Sequence, residues 1–158
     1  MHLHQDLSNL IKGEVYDDLP TLKKFSRDAS VFEIQPQLVV APKSVGDLKK
    51  LVKFADEHVK EGISLTPRAA GTCMSGGSLT KSISLDMMKH FNHVKKIGKD
   101  YAITEPGVYY RNFDKKTMKH GLQLVSYPAS RELCAVGGMV GNNAAGERTL
   151  CYGATIDY

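Results

Sequence analysis

Apolar residues recur at Leu3, Leu7, Leu10 and Ile11, the spacing of one helix face, and predict an amphipathic helix over residues 1–16 that Leu19-Pro20 breaks. A second helical turn is expected over 21–27. Leu38-Val39-Val40-Ala41 is an unbroken apolar run stopped by Pro42, which reads as a strand. Ser44 and Asp47 then stand at capping-box spacing. The helix they open is predicted to bury Leu48, Leu51, Val52, Ala55 and Val59 and to end at Gly62. Ile63 to Thr66 resumes as a strand, completing a β-α-β unit. Further on, Ile83 to Asp86 reads as a strand. Residues 94–98 and 101–105 read as a hairpin turning at Lys99-Asp100. Arg111 to His120 reads as a helix closed by Gly121, followed by an extended stretch over 122–127. From Pro128 the regular pattern gives way to a loop-rich region. Thr155 to Tyr158 looks like the start of a further apolar stretch, so the domain is expected to continue past residue 158.

Composition narrows the class. The chain has 158 residues, 42% apolar and 24% charged, which suits one globular domain and excludes a disordered tail, a collagen-like chain or a coiled coil. No run is long and apolar enough for a membrane-spanning helix, and the first residues lack the apolar core of a secretory signal. The net charge of +4 comes from lysines scattered in pairs. Without interleaved aromatic residues these pairs read as solvated surface, not as a nucleic-acid patch. The three cysteines, Cys73, Cys134 and Cys151, form no C-x-x-C pair and read as reduced thiols of a cytoplasmic protein.

Two glycine-rich segments carry the candidate chemistry. The first runs from Thr66 to Ser78. Small residues let a backbone approach a ligand closely, and its turned N–H groups can cradle an anion. Gly71 and Gly76 have the spacing of a phosphate loop, but Gly77 stands where that loop needs its lysine; Arg68 offers a cation instead. The bland alternative is a tight turn between strands. The second segment, Pro128 to Gly146, misses the dinucleotide fingerprint because Val136 stands where its first glycine belongs. Its glycines, alanines and Asn142-Asn143 offer donors with little bulk and no negative charge; the alternative is a packed loop of positive-φ residues. Together the two favour a diphosphate cofactor. His90-x-x-His93 is a weak metal pair that lacks a third ligand at matching spacing. Ser75 lies in no hydrolase elbow, and no carboxylate pair suggests acid–base work.

At these segments the chain resembles the FAD-binding domain of the vanillyl-alcohol oxidase / p-cresol methylhydroxylase superfamily. The branch it is most similar to is the FAD-linked dehydrogenases, the group of D-lactate dehydrogenase and of the related glycolate oxidase polypeptide. The motifs, in order, are Phe25 to Ser30, Val39 to Ser44 with Asp47-Leu48, Pro67 to Thr72 with Ser75-Gly76-Gly77, Glu105 to Val108, Val136-Gly137-Gly138, Asn142 to Gly146 and Tyr152-Gly153.

This resemblance implies an α+β fold, a p-cresol methylhydroxylase-type domain of two α+β subdomains with FAD between them. Residues 1–37 would form an N-terminal helical segment and 38–158 an incomplete FAD-binding domain without its substrate-binding cap. Arg68, Ala69, Ala70, Gly71, Thr72, Ser75, Gly76 and Gly77 would contact the diphosphate and ribityl chain. Pro128 and Ser130 would lie toward the flavin. Ala135, Gly137, Gly138, Asn142, Asn143, Ala145 and Gly146 would wrap the diphosphate. Covalent members often carry a histidine near the position of Thr72, so FAD is expected to be bound non-covalently. The activity implied is oxidation of a small 2-hydroxy acid such as D-lactate or glycolate, with an unspecified electron acceptor and with catalytic residues outside this chain. The alternatives are a phosphate-binding transferase or a non-catalytic binding module. A cytoplasmic protein, peripheral at a membrane or not, is expected, with no nucleic-acid partner and with self-association through exposed strand edges.

Overall fold

The computed structural model describes residues 2–158. Its first sheet contains β1 (Glu14–Tyr16), β2 (Leu38–Ala41), β3 (Leu65–Arg68) and β4 (Ile83–Asp86), in the order β1-β2-β4-β3. β2 and β3 both run parallel to β4, and β1 is antiparallel to β2. All four residues of β2 are buried, as the unbroken apolar run requires of a strand covered on both faces. α1 (Leu3–Leu10) and α3 (Val45–Glu57) cover one face, where Leu7, Leu51, Ile83 and Leu85 pack together. α2 (Leu19–Phe25) covers the other, with Leu22 and Phe25 against Val39.

The β-α-β unit of 38–66 forms, with β4 inserted between its two strands. Four local readings change. The N-terminal helix stops at Leu10, and Glu14–Tyr16 pairs with β2 as a strand, because Ile11 and Val15 turn into the same core. Leu19-Pro20 begins α2 instead of ending a helix: Asp18 accepts the Thr21 amide at 3.0 Å, and a proline in the first turn loses no helical hydrogen bond. Val52 is exposed at 60%, since α3 lies on the surface and buries only a narrow stripe centred on Leu51, and Val59, at 64%, falls in the 3-10 turn that follows the helix. Thr155–Asp157, where a further apolar stretch was expected to begin, is a 3-10 turn with Ile156 and Tyr158 exposed.

The second unit has a two-stranded antiparallel sheet, β5 (Val94–Ile97) and β6 (Ala102–Thr104), with a register shift between Val94 and Lys96. α4 (Tyr110–Thr117) continues through a 3-10 turn to Gly121, as its predicted closure requires. Residues 122–127 form no strand. The region expected to be loop from residue 128 instead contains α5 (Val136–Gly141) and α6 (Thr149–Tyr152). α5 forms despite three glycines because Val136 and Met139, one turn apart, are buried with Tyr110, Phe113 and Tyr127. The Tyr110 hydroxyl donates to the Leu124 carbonyl at 2.7 Å, and burial pushes its pKa well above the usual tyrosine range.

The two units meet main chain to main chain at Gly107. Its amide donates to the Phe91 carbonyl at 2.7 Å, and a side chain there would strike the carbonyls of Met87 and Phe91. No helix of the described residues is long and apolar enough to cross a membrane.

Ser44 caps α3 as expected, its hydroxyl accepting the Asp47 amide at 3.1 Å. The Asp47 carboxylate does not close the capping box. It accepts the amides of Lys12 at 3.1 Å and Lys43 at 2.9 Å, joining α3 to both neighbouring strands. Burial alone would push this carboxyl up; the amides of Lys12 and Lys43, the Lys50 charge and the Gly13 amide outweigh it and hold the pKa below the usual aspartate range. A carboxyl depressed in the folded state contributes stability that is complete above its unfolded value, near 3.9, and is lost as pH falls through the folded value. Asp47→Asn is expected to destabilise the fold by about 2–4 kcal/mol at neutral pH. It should also flatten the fall in stability below about pH 4; urea titrations of both proteins from neutral to acid pH check both effects.

Candidate functional site

β3 and β4 are parallel neighbours, so the chain leaving Arg68 must return the full length of the sheet before entering Ile83. Such crossovers usually run through a helix. Here residues 69–82 make the return as a loop, and the segment just after α2 shapes it. The Ala29 amide donates to the Gly71 carbonyl at 3.1 Å, and the Ser78 hydroxyl donates to Asp28 at 3.0 Å. The Arg68 guanidinium donates to the carbonyls of Phe25 at 3.1 Å and Arg27 at 2.7 Å and lies over the Phe25 ring. Gly71 has φ +68 and packs directly on that guanidinium, leaving no room for a side chain.

The opposing wall comes from β6, the turn at Glu105-Pro106 and the start of α5. Glu105 accepts the His93 amide at 3.0 Å, the His93 ring at 3.1 Å and the Lys95 ammonium at 2.9 Å. Burial pushes this carboxyl up, but Lys95 and His93 win and hold it below the usual glutamate range. At α5 the Val136 amide donates to Val108 and the Gly137 amide to Pro106, which fixes the helix against the turn.

Between the walls lies a cleft of about 810 Å³. Ala69, Ala70, Gly71, Thr72 and Gly77 line one side; Ala135, Gly137, Gly138 and Asn142 line the other. Among the described residues, the amides of Ala69, Ala70, Gly71 and Thr72 donate to no protein oxygen, and neither does that of Gly138. Gly138 and Gly141 face open space where a side chain would stand. Glu105, paired with Lys95 and hydrogen-bonded by His93, is the one carboxylate of the lining. Such a cleft suits an extended ligand with a negatively charged middle, which unclaimed amides can hold without a competing anion.

The remaining expected residues lie outside this lining. Arg68 supports the loop from behind. Ser75 bonds Cys73, its hydroxyl 3.2 Å from the thiol, and Gly76 (φ +77) turns the loop against Phe32. Pro128 and Ser130 begin a turn, their carbonyls accepting the amides of Arg131 and Leu133. The Asn143 side chain accepts the Ile156 amide at 2.8 Å, and its φ of +46 aims it at the C-terminal turn. Ala145 is exposed, and the Gly146 amide donates to the Thr149 hydroxyl.

Sequence reasoning passed over Cys73, Ala102, Thr104, Glu105 and Pro106 as lining residues. The Glu105-Pro106-Gly107 motif was the available signal, since the tight approach at Gly107 brings the hairpin to the cleft. A hydrogen bond from Ser75, supported by the amides of Ser75 and Gly77 and by Asn142, lowers the Cys73 thiol pKa against the effect of burial. Burial pushes Cys134 up. His90 and His93 do not share a helical face: His90 bonds Glu14 at 2.7 Å and His93 bonds Glu105.

The sequence profile of a family described as FAD binding domain matches residues 36–158. The chain is 27% identical over 149 residues to D-2-hydroxyglutarate dehydrogenase of Pseudomonas putida, covering 93% of this chain and 15% of that protein. It is 32% identical over 123 residues to D-lactate dehydrogenase of Archaeoglobus fulgidus, covering 77% and 27%. With the glycolate oxidase protein GlcD of Bacillus subtilis it shares 28% over 138 residues, covering 85% and 29%. The chain thus spans less than a third of the length of these relatives. In fold it is similar to Physcomitrella patens BBE-like 1, with a TM-score of 0.80 and 16% identity over 99% of this chain and 34% of that one. It is also similar to 6-hydroxy-D-nicotine oxidase from Arthrobacter nicotinovorans, with a TM-score of 0.76 and 24% identity over 93% and 32%.

Gly71→Ala and Gly138→Ala should part sharply. The first forces a left-handed residue onto the Arg68 guanidinium and is expected to cost about 1–3 kcal/mol of unfolding free energy. The second adds a methyl to a helix on its open side and should leave stability unchanged or raised by up to about 1 kcal/mol. Chemical denaturation of the two variants beside the parent checks the contrast.

Proposed function

The chain belongs to the FAD-binding domain family, whose cofactor is FAD, and on that footing we propose that it supplies the cofactor cleft of a flavoenzyme that oxidises a small 2-hydroxy acid. The observation that carries the reading is the run of unclaimed amides from Ala69 to Thr72, facing the Gly138 amide across a cleft lined by small residues. The donor set fits the diphosphate: it presents N–H groups, and its one carboxylate is already paired with Lys95 and hydrogen-bonded by His93. When bound, FAD supplies a two-electron acceptor that no side chain can provide.

The chain's own residues then have distinct tasks. Ala69 to Thr72 and Gly138 donate to the diphosphate, and the Asn142 carboxamide adds a donor at the end of α5. Arg68 works at one remove, keeping the loop in the shape that exposes those amides. Pro106 and Ala135 exclude water from the floor. Asn143, Ala145 and Gly146 support the second wall by fixing the turn after α5. The assignment to 2-hydroxy acids rests on the named activities of the D-2-hydroxyglutarate dehydrogenase, D-lactate dehydrogenase and glycolate oxidase relatives. No residue of this segment is assigned proton abstraction or substrate recognition.

The test is anaerobic titration of the full-length flavoprotein with D-2-hydroxyglutarate, D-lactate and glycolate. Bleaching of the flavin by at least one of them is expected; an oxidised spectrum with all three sinks the substrate class while leaving FAD binding untouched.

Attachment is expected to be non-covalent, because Thr72 offers a hydroxyl where the covalent pattern has a histidine. Acid precipitation should leave the yellow colour in the supernatant. Fluorescence that stays with the protein on a denaturing gel would overturn this.

A further inference from the structure

Two grooves beside α4 share no lining residue with the cofactor cleft. One, about 360 Å³, lies between β5 and the C-terminal turn of α4. The other, about 420 Å³, lies between α4 and the turn at residues 88–92. They meet at Lys116 and Lys119, which line both. Neither groove contains a carboxylate in its lining. Lys95 is committed to Glu105, but among the described residues Lys96, Lys115, Lys116 and Lys119 enter no ion pair. Asp114, on the same helix, is turned to the Tyr110 hydroxyl and the Gln123 amide.

Basic residues at the end of α4 complement its dipole, but a helix end carries only about half a charge and cannot neutralise four cations. α3 shows the other pattern: Lys53 faces Glu57, and Lys50 donates to the Leu10 carbonyl. Unpaired lysines occur elsewhere on the surface; what sets these apart is that they converge on two joined grooves whose linings hold no carboxylate.

We propose that these joined grooves dock an acidic segment of a partner protein, its carboxylates lying over Lys116 and Lys119. A bilayer surface fits poorly: beside the lysines of α4 and its following turn the exposed apolar side chain is Met118 alone, whereas an interfacial helix presents an apolar stripe. A single-stranded nucleic acid needs aromatic faces, and Tyr109, the one aromatic residue of the lining, is covered by the Arg111 guanidinium 4.2 Å from its ring centre. A projecting acidic chain suits concave, lysine-lined grooves, and the charge would steer its approach.

The experiment is fluorescence anisotropy of a labelled decaglutamate peptide titrated with the intact protein. Lys116→Glu/Lys119→Glu is compared with Lys49→Glu/Lys60→Glu, which changes the net charge equally on the other unit, and circular dichroism verifies that both are folded. The parent and the Lys49/Lys60 variant should bind alike, with affinity falling as salt rises, and the groove variant should bind at least about tenfold more weakly. Equal weakening in both variants, no binding by the parent, or tighter binding to anionic phosphatidylserine vesicles or to an oligouridine of matched charge would overturn the proposal.

Discussion

Two parallel strands set side by side must be joined by a chain that travels back along the sheet, and here that return has no helix. β3 ends at Arg68, β4 begins at Ile83, and everything between them is loop. A helix would have satisfied its own amides and filled the space above the strand ends. The loop satisfies few of its own, so it leans on the segment after α2 through Asp28, Ala29 and the carbonyls that hold Arg68. Forgoing a helix leaves a stretch of backbone that needs outside support. It also leaves a row of amides that bond none of the described residues.

The second wall arises the opposite way. α5 is a poor helix by composition, yet its first amides are consumed by Pro106 and Val108, and Val136 and Met139 are locked into the core with Tyr110 and Tyr127. Its glycines, with Val136 and Val140, face the cleft. Two segments with small side chains thus face each other, one unsatisfied by topology and the other thinned by glycine, and the single carboxylate at their edge is balanced by Lys95.

Much of this was legible in the chain itself. The apolar run at 38–41, the Ser44 cap and the 94–105 hairpin announce themselves because local periodicity and turn chemistry agree with the final packing. The glycine segments also announce themselves, and the ordered motifs around them point to FAD. β1 was illegible because three residues are too few for alternation to show; only pairing with β2 defines them. α5 was illegible because glycine argues against a helix and the burial that overrides it comes from residues far away in sequence. At the site, adjacency misled: Asn142 and Asn143 look alike in the sequence, but the helix ends between them, so one lines the cleft and the other holds Ile156. Arg68 similarly reads as a ligand-facing cation until the carbonyls of Phe25 and Arg27 are seen to claim it.

The contact at Gly107 sets how closely the two units approach. Because main chain meets main chain there, even a single methyl group at this position would push the units apart and widen the cleft between them. The width of the cleft is thus gauged by an absent side chain, while the shape of its loop wall is gauged separately, by the grip of residues 26–33 on residues 69–82.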